Sequence, residues 1–173
     1  MKKIIAIALV AMMTLTANAQ VFVGGAIGYA SVKASKDAKA TNTFNFAPEV
    51  GYNFNEDWTA GITLNYNSES QNNVTNTGIG AGIYGRYHYL QTGIAKLFVE
   101  AGVDFTSYNH DGGSNFGVGL RPGVTVAISD KLSMTASTGV LGYSKDSDNR
   151  GGRSSFGIGV DNTDLKIGLY YNF

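Results

Sequence analysis

Two histidines, His88 and His110, and no cysteine stand in this chain, so few side chains could act as base or nucleophile near neutral pH. Acyl transfer or hydrolysis needs a histidine, a serine and usually a carboxylate held together. His110 lies beside Asp111 with Ser114 four residues on, and His88 has no serine at a matching height. Neither arrangement carries a specific signature, and no catalytic residue is expected. The run from Asp146 through Asp148 to Gly151 begins like a calcium loop. Arg150 falls at its fifth position and Gly157 at its twelfth, where carboxylates should stand. No metal and no cofactor is expected.

The charged residues point instead to chemistry among themselves. Glu49, Arg86, Glu100, Asp104, Arg121, Asp164 and Lys166 all fall on the polar side of an alternating pattern. Charges of both signs facing the inside of a narrow tube cost several kcal/mol each unless they are paired. A paired network is therefore expected, with Arg86 near Glu100 and Asp104 near Arg121. It would serve as a static plug or, alternatively, as the gate of a small pore.

Such a network needs a tube to hold it, and the dominant signal along the chain has period two. Eight alternating segments are expected at 21–29, 44–54, 58–66, 79–89, 97–105, 116–128, 132–140 and 164–173. Each is close to the roughly nine to eleven residues that a tilted membrane strand needs. In the last, Leu165, Ile167, Leu169, Tyr171 and Phe173 oppose Asp164, Lys166, Gly168, Tyr170 and Asn172. Composition agrees with a two-faced barrel, at 23 Gly, 10 Tyr, 9 Phe and only 2 Pro. Pro48 and Pro122 lie inside expected strands, where each removes a ladder donor, so a bulge or a missing bond is expected at each. Residues 156–160 alternate in the opposite parity to 165–173, which calls for a break at 161–163, with 154–160 as a β extension above the membrane.

Alternation alone does not say which face is outside. A soluble exported barrel of the lipocalin kind would turn the apolar set inward and hide its edges equally well, but the set rich in glycine and charge would make a poor apolar pocket. Connections at 55–57, 90–95 and 129–131 are short, whereas 33–42, 68–76, 109–114 and 144–162 are mostly longer, as expected for periplasmic turns and extracellular loops. Tyr52, Phe54, Trp58, Tyr87, Tyr89, Tyr171 and Phe173 gather near the short turns, and Tyr29, Phe44, Tyr66, Phe105 and Phe116 near the long loops. Those are two interfacial girdles. The expected fold is an all-β, eight-stranded antiparallel up-and-down transmembrane barrel.

Residues 1–19 are expected to be a cleaved signal peptide: Lys2 and Lys3, an apolar run at 4–15 too short to span a bilayer, and a small-residue site ending at Ala19. The barrel domain is then 20–173, exported to the bacterial outer membrane. The chain carries 13 basic and 13 acidic side chains, which is no footprint for nucleic acid. Lys33, Lys36 and Lys39 in the first loop, and Lys145, Arg150 and Arg153 in the fourth, are candidate contacts for lipopolysaccharide phosphates or a host polyanion. The interspersed Asp37, Asp146 and Asp148 fit an ordinary solvated loop equally.

The segment from Pro48 to Trp58 resembles the second strand, turn and third strand of the small barrels grouped with outer membrane protein X and the transmembrane domain of outer membrane protein A. The Arg121-Pro-Gly-Val124 run is similar to their sixth strand. The ending, with Leu165, Ile167, Leu169, Tyr171 and Phe173, resembles the C-terminal signal read by the outer-membrane assembly machinery. This resemblance implies a barrel among outer-membrane lipid and lipopolysaccharide, probing a host or surface ligand with its loops and acting as a monomer. The group includes adhesins, defence factors, structural proteins and a few lipid A-modifying enzymes, so the expected role is envelope-structural or surface-interactive and not enzymatic.

Overall fold

A computed structural model describes residues 20–32, 41–71, 74–109, 113–139, 141–147, 151–158 and 166–173. Among them run ten strand segments: β1 Val21–Val32, β2 Thr41–Asn53, β3 Trp58–Gln71, β4 Val74–Thr92, β5 Ala95–Tyr108, β6 Ser114–Ala127, β7 Leu132–Ser137, β8 Leu141–Asp146, β9 Ser154–Ile158 and β10 Lys166–Asn172. Sequential neighbours from β1 to β7 pair antiparallel, β7 pairs β10, and β10 returns to β1. Eight strands thus close into a barrel, which removes the free edges of an open sheet. The expected fold class is correct.

Burial settles which face is out. Ile27, Ile62, Leu64, Ile79, Ile83, Phe105, Ile167 and Leu169 are exposed, while Phe22, Tyr84, Phe98 and Tyr170 from the opposite set are buried. An apolar exterior around a polar and aromatic interior is the arrangement that lipid imposes. At the short-turn end the exterior carries ring pairs: Trp58 with Tyr87 at 4.8 Å, Tyr52 with Phe54 and Tyr171 with Phe173, both at 5.2 Å. The turns themselves are locally specified. The Asn55 side chain accepts from the backbone N–H of Asp57 and of Trp58, and the Ser129 hydroxyl accepts from Leu132 N–H. Thr92 faces Ala95, so Gly93 and Ile94 alone make the second turn, with Gly93 at φ 56°. That positive φ suits glycine at the first central position of a hairpin turn.

The structure corrects several expected boundaries. The stretch 68–76 is mostly strand, because β3 and β4 stay in register out to Gln71 facing Val74. Its run of Asn, Ser and Thr shows no apolar alternation, since above the bilayer both faces are wet and the ladder alone holds the hairpin. The connection at 90–95 likewise shortens to two residues, with a register shift between His88 and Leu90. The seventh segment is not continuous to 140. β7 ends at Ser137, and β8 resumes beside the outer part of β6. Gly123 faces Ser137 but Leu120 faces Leu141, so three steps on β6 are matched by four on its neighbour.

Both prolines disturb the ladder as expected, Pro48 by a missing bond and Pro122 opposite an extra residue on the neighbouring strand. β2 keeps one register with β3, but pairing lapses at Ala47 and Pro48 between the Phe46–Tyr66 and Glu49–Thr63 pairs. Pro122 sits where β6 exchanges β7 for β8, and its carbonyl accepts from Thr138 N–H. A strand residue points its N–H and C=O the same way, so the donor missing from Pro122 faces the β7–β8 break. Residues 154–158 form β9, which pairs with β8. The expected break at 161–163 lies outside the described residues, as do Val140, Asp164 and Leu165.

Candidate functional site in the barrel lumen

The ladder brings the lumen charges together. Thr59 faces Arg86, Arg86 faces Glu100, and Glu100 faces Arg121, giving one row across β3 to β6. Arg86 Nη2 lies 2.7 Å from Glu100 Oε2, and Arg86 Nε donates to the same oxygen at 3.2 Å. Arg121 lies between two carboxylates, 3.6 Å from Glu100 Oε1 and 3.6 Å from Asp104 Oδ1. Its looser geometry contrasts with the buried, two-pronged Arg86 pair.

Aromatic rings complete the plug. The Arg86 guanidinium carbon is 4.4 Å from the centre of the Phe98 ring, 5.2 Å from that of Tyr84 and 5.7 Å from that of Tyr170. Glu49 accepts from the hydroxyls of Tyr84 at 2.9 Å and Tyr170 at 3.0 Å on one carboxylate oxygen. Each tyrosine reaches Glu49 across a glycine. Tyr84 faces Gly61 on the neighbouring strand, and Tyr170 faces Gly24, which in turn faces Glu49. A Cβ at Gly61 or Gly24 would fall on the corresponding ring. The glycines therefore provide the space that lets these side chains lie across the tube.

Around this plug the lumen divides. A cavity of about 30 Å³ remains among Glu49, Arg86, Glu100, Arg121 and Lys166. Toward the long-loop end a vestibule of about 880 Å³ opens, with Asp104, Arg121 and Lys166 at its floor. Toward the short turns lies a second of about 510 Å³, lined by Arg86, His88 and Lys96 among others. The sequence pattern of the outer membrane protein beta-barrel domain matches residues 4–173. The chain belongs to that family. It is therefore a protein of the bacterial outer membrane.

Among solved structures, the family barrel is similar to Neisserial surface protein A, at 14% identity and a TM-score of 0.52, covering 90% of this chain and 98% of that one. It is also similar to the outer membrane protein W of E. coli, at 10% identity and a TM-score of 0.47, covering 89% and 97%. No curated protein matches the sequence.

The remaining sequence candidates are scattered. The His88 ring stacks edge-on against Phe98, with Nδ1 3.3 Å from the Asp57 carbonyl, so its neighbours are an aromatic ring and a backbone oxygen. Asp146 accepts from the Asn115 amide at 3.0 Å. Lys145 and Arg153 are exposed on the β8–β9 side of the family barrel. Lys33, Lys36, Lys39, His110, Asp111, Asp148, Arg150 and Asp164 lie outside the described residues. Tyr84, Phe98 and Tyr170 are members of the plug that attention to charge alone misses. Their signal is parity: a ring on the glycine-rich face of an alternating strand must lie inside the tube.

Proposed function

We propose that this is a non-catalytic barrel whose lumen is closed and whose work is done at the cell surface, by stabilising the envelope or by engaging a surface through its extracellular loops. The observation that carries this reading is the plug. Buried Arg86 and Glu100 are locked together, Glu49 is held by two tyrosines, and only about 30 Å³ stays open between the two vestibules. Among the described residues such a wall offers no path for solutes and no assembled nucleophile, leaving the outer loops as the part free to meet a partner. In a deletion strain, detergent sensitivity should rise or surface binding should fall. Re-expression should restore the wild-type behaviour, and a version trimmed at residues 147–153 should restore envelope integrity but not binding. A deletion with neither effect would sink the reading.

A small gated pore is a second reading, favoured by Arg121 alone. It lies 3.6 Å from each of two carboxylates, at the floor of the outer vestibule and in the same row as the tighter pair. Discrete conductance steps in planar bilayers, enlarged in Arg121→Ala, are the outcome it requires. Basic loop residues such as Lys145 and Arg153 would add contacts to lipopolysaccharide phosphates in either reading.

A further inference from the structure

The outer vestibule is rich in side-chain amides. Its walls carry asparagine amides from five positions, Asn45, Asn65, Asn67, Asn76 and Asn115, spread over β2, β3, β4 and β6. Asn45 and Asn67 face each other directly across the ladder. Among the described residues, the side chains of Asn45, Asn67 and Asn76 make no hydrogen bond within the protein. Next to Asn67 stands Gly78, and the Tyr108 ring lies over it, so that a Cβ there would meet the ring at 2.7 Å. The wall thus presents free amides beside an aromatic ring.

We propose that this vestibule is a binding site for a neutral polyhydroxylated ligand, the end of a short oligosaccharide chain. Each amide offers two donors and an acceptor, which matches hydroxyl groups that both give and accept hydrogen bonds. An apolar ligand would bury those amides unpaired, at about 1–3 kcal/mol for each. A charged ligand gains no net charge attraction, because Glu69 and Asp104 on the lining are matched in number by Arg121 and Lys166. The volume, about 880 Å³, lies within the range of roughly 300–1,000 Å³ usual for small-ligand clefts. The sugar could come from the cell's own lipopolysaccharide or from a foreign glycan, since the recognising chemistry is the same. The site goes beyond the surface role proposed above and does not depend on it, because binding is read on the isolated barrel.

The test is a titration of the refolded full barrel, in a detergent that carries no sugar, followed by NMR of the asparagine side-chain amides. The probes are maltotriose, chitotriose, trigalacturonate and the cell's own lipopolysaccharide stripped of its lipid. Maltotriose or chitotriose should shift the resonances of Asn45, Asn67 and Asn76 in a saturable way, and trigalacturonate should bind at least tenfold more weakly. Tyr108→Phe should retain binding, whereas Asn45→Leu with Asn67→Leu should weaken it at least tenfold in barrels that still show heat-modifiable migration. Binding by stripped lipopolysaccharide in addition would assign the source to the cell itself, and its absence would assign it to a foreign glycan. No shift with either neutral sugar overturns the proposal. So does equal binding of the acidic one, or shifts confined to residues outside the vestibule.

Discussion

The inner and outer parts of the lumen are built on the same strands with the same alternation, yet they are opposite in character. In the plug, long side chains cross the tube over glycines and satisfy one another: Arg86 with Glu100, Tyr84 and Tyr170 with Glu49. In the outer vestibule, short amides line the wall and leave about 880 Å³ open. The difference teaches that a narrow barrel is filled only where its sequence supplies residues long enough to reach the far wall. Where asparagine replaces arginine and tyrosine, the same backbone leaves a chamber.

If the plug is a mutually satisfied unit, its members should be costly to remove and vestibule residues cheap. The largest effect is expected at Arg86→Ala, which leaves buried Glu100 with only the looser Arg121 contact and should lower stability by up to about 3–5 kcal/mol. Urea-dependent unfolding from lipid vesicles measures it. Replacing the pair together, as Arg86→Met with Glu100→Leu, should recover most of that loss. If the double variant is as damaged as the single one, the pairing does not account for the cost.

Tyr84→Phe removes one of the two donors to Glu49 and should cost about 1.5–3 kcal/mol in the same assay, the worth of a hydrogen bond to a charged group. Glycine substitutions sharpen the contrast on a smaller scale. Gly61→Ala pushes a methyl group onto the Tyr84 ring and should cost about 1–3 kcal/mol, whereas a Cβ at Gly157 meets nothing within 4 Å and should be tolerated. The smallest effect is expected at Asn67→Ala, within about 0.5 kcal/mol of wild type. A large loss there would show that the vestibule wall, too, is part of the barrel's support.

Legibility in the sequence followed the environment. Between the girdles, lipid demands an apolar residue at every second position, so segments such as 97–105 were readable and Arg86, Glu100 and Arg121 could be assigned to the inside. Above the girdles that demand disappears. The stretch 68–76 therefore reads as a loop in the sequence, although the β3–β4 ladder continues out to Gln71 and Val74. The break between β7 and β8 was hidden for another reason: it lies opposite Pro122, whose missing donor is on the neighbouring strand and not in the segment that breaks.

Sequence by itself determined the barrel, the outward face and the sign of each lumen charge, because period two and the bilayer allow one arrangement of a two-faced strand. Only the tertiary structure decided the pairings within the lumen. Cross-strand register sets which side chains share a height, so Arg86 meets Glu100 head-on while Arg121 bridges two carboxylates. Tyr84 reaches Glu49 only because Gly61 stands between them, and that depends on a strand alignment no single segment encodes.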